Sequence, residues 1–411
     1  MNFKCVDFIK YNIVMSIQEL IQYIQSANIN FMIGSGASKP YLATLGSVET
    51  WLTKLAEDKK ASSNASEYIV IEASIYKTFY ESVIRPNHCP CGDLYEKTKE
   101  NYKALLSAWN GIMNKRYSRL LNKQVNLFST NVDLMIEQAA SGIGVELNDG
   151  FKGSVEQLYD ESNFMRSVSQ NSLHFQYTSE IPIFNLLKIH GSINWEQTGN
   201  NGVRNNTFWC YNIDEAIQKI DANQFVQVNY EDEGGKIKEK TYEQLVNEAR
   251  SLKIKDTSIY TPFLEAYNKL VIVNPTKRKF EQTVMDYHFY ELMRIYANAL
   301  EKENAILFVA GFSFADEHIA SITKRAADRN PTLQIVIFAF GNDEEDSFKT
   351  KLNVNSLCLN NNITIITPEK FINDNQDDRT KEFAKSISRF DMESIARVFS
   401  YIESQIHGSD E

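Results

Sequence analysis

The sequence predicts an α/β fold centred on a mostly parallel, doubly wound sheet. Two observations predict it. Short apolar runs, "INFMI", "VNLFS", "IFNLLKI", "LVIV", "AILFVA", "LQIVIFAF" and "ITIIT", alternate with stretches of helical periodicity, as parallel strands covered on both faces do. Most of these runs also break into small, hydroxyl or amide residues. Open α/β sheets place their ligands there, just beyond the carboxyl ends of the strands. The expected architecture is therefore Rossmann-like, with helical insertions and a helical C-terminal extension.

Residues 16–27 put Ile17, Leu20, Ile21 and Ile24 on one helical face, with Ser16 and Glu19 spaced as a capping box. The strand "INFMI" breaks at "GSGAS". Residues 50–83 and 95–122 read as helices around the irregular "RPNHCPCGD", and "VNLFS" then breaks into "TNVD" and the helix "LMIEQAA". After "IFNLLKI", residues 192–262 turn polar and Asn-rich, with "TGNNGVRNN" and "EDEGGKIKEK" as loop signals. "LVIV" reads as the next strand, followed by a long helix over 281–303. "AILFVA", "LQIVIFAF" and "ITIIT" complete the sheet, and an amphipathic helical tail covers 378–406.

Composition narrows the function. With 43% hydrophobic and 12% aromatic residues in 411 positions, the chain can bury one large core or two smaller ones. No eighteen-residue apolar run predicts a membrane span. The N-terminal stretch carries charges inside its only apolar segment, unlike a secretory signal. Five unevenly spaced cysteines suit a reducing, cytoplasmic setting. A net charge of −10 argues against a globally basic nucleic-acid binder. The basic run Lys277-Arg278-Lys279 reads as a solvated loop.

The strand ends carry the chemistry. In Gly34-Ser35-Gly36-Ala37-Ser38 the glycines would let backbone N–H groups approach a phosphate, although a plain strand-to-helix turn also explains a lone G-x-G. Lys39 stands where a dehydrogenase fingerprint would place its third glycine. "LFSTNVD" offers Asn131 and Asp133; either Thr130 or Asp133 serves as a helix cap, and neither cap needs Asn131. His190-Gly191-Ser192 closes "IFNLLKI", Asn274-Pro275 follows "LVIV", and Gly311-Phe312-Ser313 follows "AILFVA", with Asp316 or Ser313 placed to cap the next helix.

Together these pieces resemble the sirtuin family. Its Gly-Ala-Gly-x-Ser loop is matched by residues 34–38 with Ser35 in place of alanine, and its Thr-Gln-Asn-x-Asp segment by residues 129–133 with Thr130 in place of glutamine. Its His-Gly is matched by His190-Gly191, and its Gly-Thr-Ser turn is approximated by residues 311–313. The resemblance implies NAD+ as substrate. Gly34, Ser35, Gly36, Ala37 and Ser38 would hold the pyrophosphate, Ser313 at Gly311 a phosphate or ribose, and Thr130, Asp133 and Asn274 would complete the binding site. His190 would be the general base and Asn131 would orient an attacking water.

Departures from the family pattern matter as much. No pair of Cys-x-x-Cys motifs exists, only Cys89-Pro90-Cys91, so no zinc is expected. The Ile-Pro-Asp-Phe-Arg and Phe-Gly-Glu segments of deacylases are also missing. The chain therefore looks like the divergent bacterial sirtuin-like proteins, which implies an NAD+ glycohydrolase that depletes NAD+ in anti-phage defence by abortive infection. A homo-oligomer is expected, with a HerA-type ATPase as partner and nucleic acid met only through that partner. The alternatives are an NAD-dependent deacylase or ADP-ribosyltransferase, and a silent NAD or ADP-ribose sensor. The expected organisation is an N-terminal segment (1–28), a sirtuin-like core (29–342) with insertions at about 50–122 and 192–265, and a last strand with the helical extension (343–411). The aromatic helix 287–300 and the C-terminal helices are expected to supply core or subunit-contact faces.

Overall fold

The computed structural model describes residues 15–42, 47–61, 66–88, 90–116, 121–174, 176–199, 202–231, 237–273, 287–354 and 360–406. Asn274 and the Lys277–Lys279 run lie outside the described residues.

Seven parallel strands form the central sheet: β1 (Asn28–Ile33), β2 (Gln124–Ser129), β3 (Glu146–Asn148), β4 (Ile183–Lys188), β5 (Ala305–Ala310), β6 (Gln334–Phe338) and β7 (Ile363–Ile366). Their order is β7-β6-β5-β1-β2-β4-β3. The chain winds outward from β1 in both directions, so β1 is the switch point at which a crevice opens. β7 at the far edge lies beyond residue 342, so the sheet draws on the last part of the chain too.

Alternate side chains feed two cores. Phe31, Phe308 and Phe338 face one layer, and Met32, Leu307 and Ile337 face the other. On the first face, helices Asp93–Lys115 and Met392–Gln405 pack Trp109 and Phe399 onto Phe31 and Phe308, with ring centroids 4.9–5.7 Å apart. The C-terminal helix thus spends its apolar face on the core, the first of the two roles expected for it. Helices Tyr287–Glu301 and Glu317–Arg329 cover the second face. The capping box of Ser16 and Glu19 is present, and Asp316 caps helix 317–329.

A row of asparagines crosses four neighbouring strands in register. Asn126 donates to Asn30 (2.9 Å), Asn185 to Asn126 (3.0 Å) and Asn148 to Asn185 (3.0 Å). A slipped strand would break the row, so it pins the register of β1, β2, β4 and β3.

Two expectations are corrected. "LVIV" does not join the central sheet. Leu270–Ile272 pairs antiparallel with Gly191–Gln197 at one edge of a second, five-stranded sheet. Residues 192–262 are also far from irregular: they hold helices Trp209–Gln218 and Tyr242–Ser251, and helix Thr261–Asn268 begins at their end. These pack with helices Val48–Ala61 and Ser66–Phe79 around a core of their own, where Tyr76 stacks on Tyr267 at 4.2 Å. The two insertions read separately in the sequence therefore make one helical cap, while helix 93–115 leaves the first of them to line the central sheet. No helix of the described residues is long and apolar enough to cross a membrane.

Candidate active site

The carboxyl ends of β1, β2 and β4 converge on a narrow cavity of about 50 Å³. Its polar side is Ser35, Ser38, Thr130, Asn131, Asp133 and His190; its apolar side is Leu42, Phe79, Val83, Val132 and Val273. Six residues singled out in the sequence thus meet in one place. Phe79 and Val83 come from the cap, where the helix loosens into a π-turn over Tyr80–Ile84, a local irregularity often found at functional sites.

On the β1–β2 side the polar groups are buried and bonded to each other. The Ser38 hydroxyl donates to Asp133 Oδ2 (2.9 Å). Its oxygen accepts from Asn131 Nδ2 (3.3 Å) and lies 3.0 Å from the Tyr102 hydroxyl. Because the serine proton goes to Asp133, Tyr102 is the donor in that last contact. Burial, with Asp133 nearby, pushes the Tyr102 phenol well above its ordinary pKa and keeps that donor protonated. Asp133 Oδ1 accepts from Met135 N (3.1 Å). Within this cluster Asn131 Oδ1 is buried with no hydrogen-bond partner among the described residues, an acceptor placed for a ligand or water.

Beneath this cluster, Lys188 is buried at the end of β4. It pairs with Glu137 at 3.1 Å and donates to the backbone oxygen of Asp133. Burial raises the Glu137 carboxyl above its ordinary value, and Lys188 opposes that rise. The pair ties the helix after β2 to β4 and so fixes the residues at the strand ends.

His190 stands on the other side. Its Nε2 is 3.1 Å from Asp316 Oδ2, and its side chain keeps 12% of its accessible surface. Gly191 follows for a geometric reason: its φ is +75°, and a Cβ there would sit 2.0 Å from the Val271 oxygen. His190 O also accepts from Val273 N (2.9 Å). The histidine is therefore held between the end of β4 and the second sheet.

The glycine loop is packed as tightly. A Cβ on Gly34 or Gly36 would meet the Gly311 oxygen at 2.6 or 2.9 Å, and one on Gly311 the Ala37 nitrogen at 2.2 Å. The amides of Gly34, Gly36 and Ala37 donate to Ala310, Gly311 and Gly34 oxygens. In this state those amides are spent within the protein, and Ser38 on Asp133. A phosphate arriving here would meet the exposed Ser35 and Ser313, or would shift the 311–312 turn.

Sequence reasoning missed Tyr102, Phe79 and Val83, which carry no local signal because their partners are remote in the chain. Lys188 did carry one: a charge inside an apolar strand demands a partner. Asp316 is legible as a cap, but its contact with a histidine 126 residues away is not. Of the described cysteines, Cys91 is exposed and Cys210 buried, and no group of three or more metal-ligating side chains occurs among the described residues.

No curated protein matches the chain. Residues 125–366, from the second residue of β2 to the last of β7, match the SIR2-like domain. SIR2-like domains bind NAD+, and NAD-related activity is general among them. With more than half of its length matched, the chain belongs to the SIR2-like domain family.

Proposed function

We propose that the protein is an NAD+ glycohydrolase that splits the nicotinamide–ribose bond into nicotinamide and ADP-ribose, with His190 and Asn131 as its catalytic residues. The observation that carries this reading is the pairing, in one cavity, of a histidine held by a carboxylate with a buried amide whose oxygen is unpartnered. The amide suits orientation of a water, and a neutral imidazole suits acceptance of its proton. In the reaction the C1′–N bond breaks with its electron pair passing to the cationic nicotinamide ring, which leaves neutral. Water adds at C1′ and gives its proton to the imidazole. Neither side chain adds positive charge beside the oxocarbenium-like centre that develops. The narrow cavity beneath the cap favours water over an acyl-lysine as nucleophile.

From the resemblance we further infer a role in anti-phage defence by NAD+ depletion, restrained in the resting cell by homo-oligomerisation or a HerA-type ATPase. Two features support restraint and assembly. The cavity is narrow, and the excursion over residues 151–181 exposes Val155, Met165 and Leu173 to solvent.

The test is a chromatographic time course of the purified protein with NAD+, with and without acetylated peptide and a HerA-type ATPase, beside His190→Ala. Both products from wild type, none from the variant and no effect of peptide would establish the reading. Peptide-dependent turnover would replace it with deacylation or ADP-ribosyl transfer. A ligand-induced rise in melting temperature with no product in any arm would replace it with a silent sensor.

A further inference from the structure

We propose that Asp316 is the positioning residue of His190, fixing which ring nitrogen carries the proton and leaving Nδ1 as the base. The inference rests on the reading of His190 as the general base.

Asp316 divides its two oxygens between two tasks. Oδ1 accepts from the backbone N–H groups of His318 (3.0 Å) and Ile319 (3.2 Å), capping helix 317–329. Oδ2 lies against His190 Nε2 at 3.1 Å. A cap needs one side-chain oxygen, which serine or asparagine supplies as well. The second oxygen, on the imidazole, is what capping leaves unexplained. A carboxylate only accepts hydrogen bonds, so the proton of the contact belongs to Nε2. A neutral imidazole has one N–H, and Nδ1 then holds the lone pair. The Asp316 side chain keeps 8% of its surface exposed, so little water competes for the contact.

The turn that presents Asp316 is built to stay put. Phe314 sits at φ +54°, a region a bulky side chain rarely adopts. Its ring is buried against Phe312 (4.9 Å) and Phe348 (6.3 Å). Gly311, at φ +62°, abuts Ala37. Strained backbone held by surrounding packing is characteristic of a part whose aim matters. The carboxylate is thereby fixed with respect to β5, and through it the ring at the end of β4.

The test compares wild type, Asp316→Asn and Asp316→Ser, all of which keep a capping oxygen. The serine hydroxyl is too short to reach the ring once it caps, while an asparagine whose oxygen caps turns an N–H donor to Nε2 and favours the other tautomer. Both variants should lower kcat for NAD+ by about 10²-fold or more, with asparagine the lower of the two because its N–H favours a proton on Nδ1. KM and melting temperature should stay close to wild type. Equal rates in the three proteins would overturn the proposal, since all three cap the helix. A second reading needs no turnover: ¹⁵N NMR of histidine-labelled protein, with the His190 signals assigned by their loss in His190→Ala. Nε2 protonated and Nδ1 bare in wild type, becoming a mixture in Asp316→Ser, is the expected result. Nδ1 protonated in wild type would sink the idea even if NAD+ is hydrolysed. If NAD+ is not hydrolysed, the glycohydrolase reading fails while the tautomer still decides the contact. Should the serine variant fail to fold, the wild-type tautomer and the asparagine variant remain decisive.

Discussion

On the β1–β2 side of the cavity, Ser38, Asp133 and Tyr102 are bonded to one another out of reach of solvent. On the β4–β5 side, His190 meets a carboxylate and keeps a partly exposed ring. The first side is a saturated polar network of the kind that rigidifies a core and is costly to interrupt. The second carries a group free to exchange a proton. The difference separates what holds the site in shape from what acts in it, and Asn131 lies on the border, anchored through Nδ2 and unpartnered at Oδ1.

If that division is right, changes on the two sides should fail differently. The largest effect is expected on the open side. His190→Ala should lower NAD+ turnover by about 10³-fold or more, while calorimetry finds a melting temperature within about 2 °C of wild type. Next comes Asp133→Ala, which strips an acceptor from both Ser38 Oγ and Met135 N. A loss of about 2–4 kcal/mol should appear as a lower urea midpoint, with a smaller loss of turnover per folded molecule than His190→Ala causes. Asn126→Ala removes the middle of the asparagine row and leaves Asn30 and Asn185 each short of a partner. Urea titration should show a cost of about 1–2 kcal/mol with kcat unchanged. The smallest effect is expected from Tyr102→Phe, which deletes one neutral hydrogen bond and costs about 1 kcal/mol. A Tyr102→Phe enzyme that is fully stable yet inactive would erase the distinction between the two sides.

Glycines sharpen the same contrast. Gly34, Gly36 and Gly311 read as a phosphate cradle in the sequence, yet each also has a packing reason, because the loop after β1 and the turn after β5 touch backbone to backbone. Gly191 likewise answers to Val271. A glycine pattern reports close approach without saying whether ligand or protein does the approaching.

The sequence by itself determined the strands that build the centre of the sheet, because a parallel strand covered on both faces is apolar along most of its length. It also determined the cap at Ser16, narrowed the later one to Ser313 or Asp316, and placed polar chemistry at strand ends, since caps and turns depend on neighbours a few positions away. Only the tertiary structure decided the rest. "LVIV" has the composition of a central strand but pairs with Gly191–Gln197, since partner choice depends on where the cap carries it. Helices 48–61 and 66–79 found helices 209–218, 242–251 and 261–268 across the whole central region because each buries an apolar face that the sheet leaves uncovered. Tyr102 reaches Ser38 across 64 residues, and Asp316 reaches His190 across 126. Contacts of that separation are set by how layers stack, and local periodicity holds no record of them.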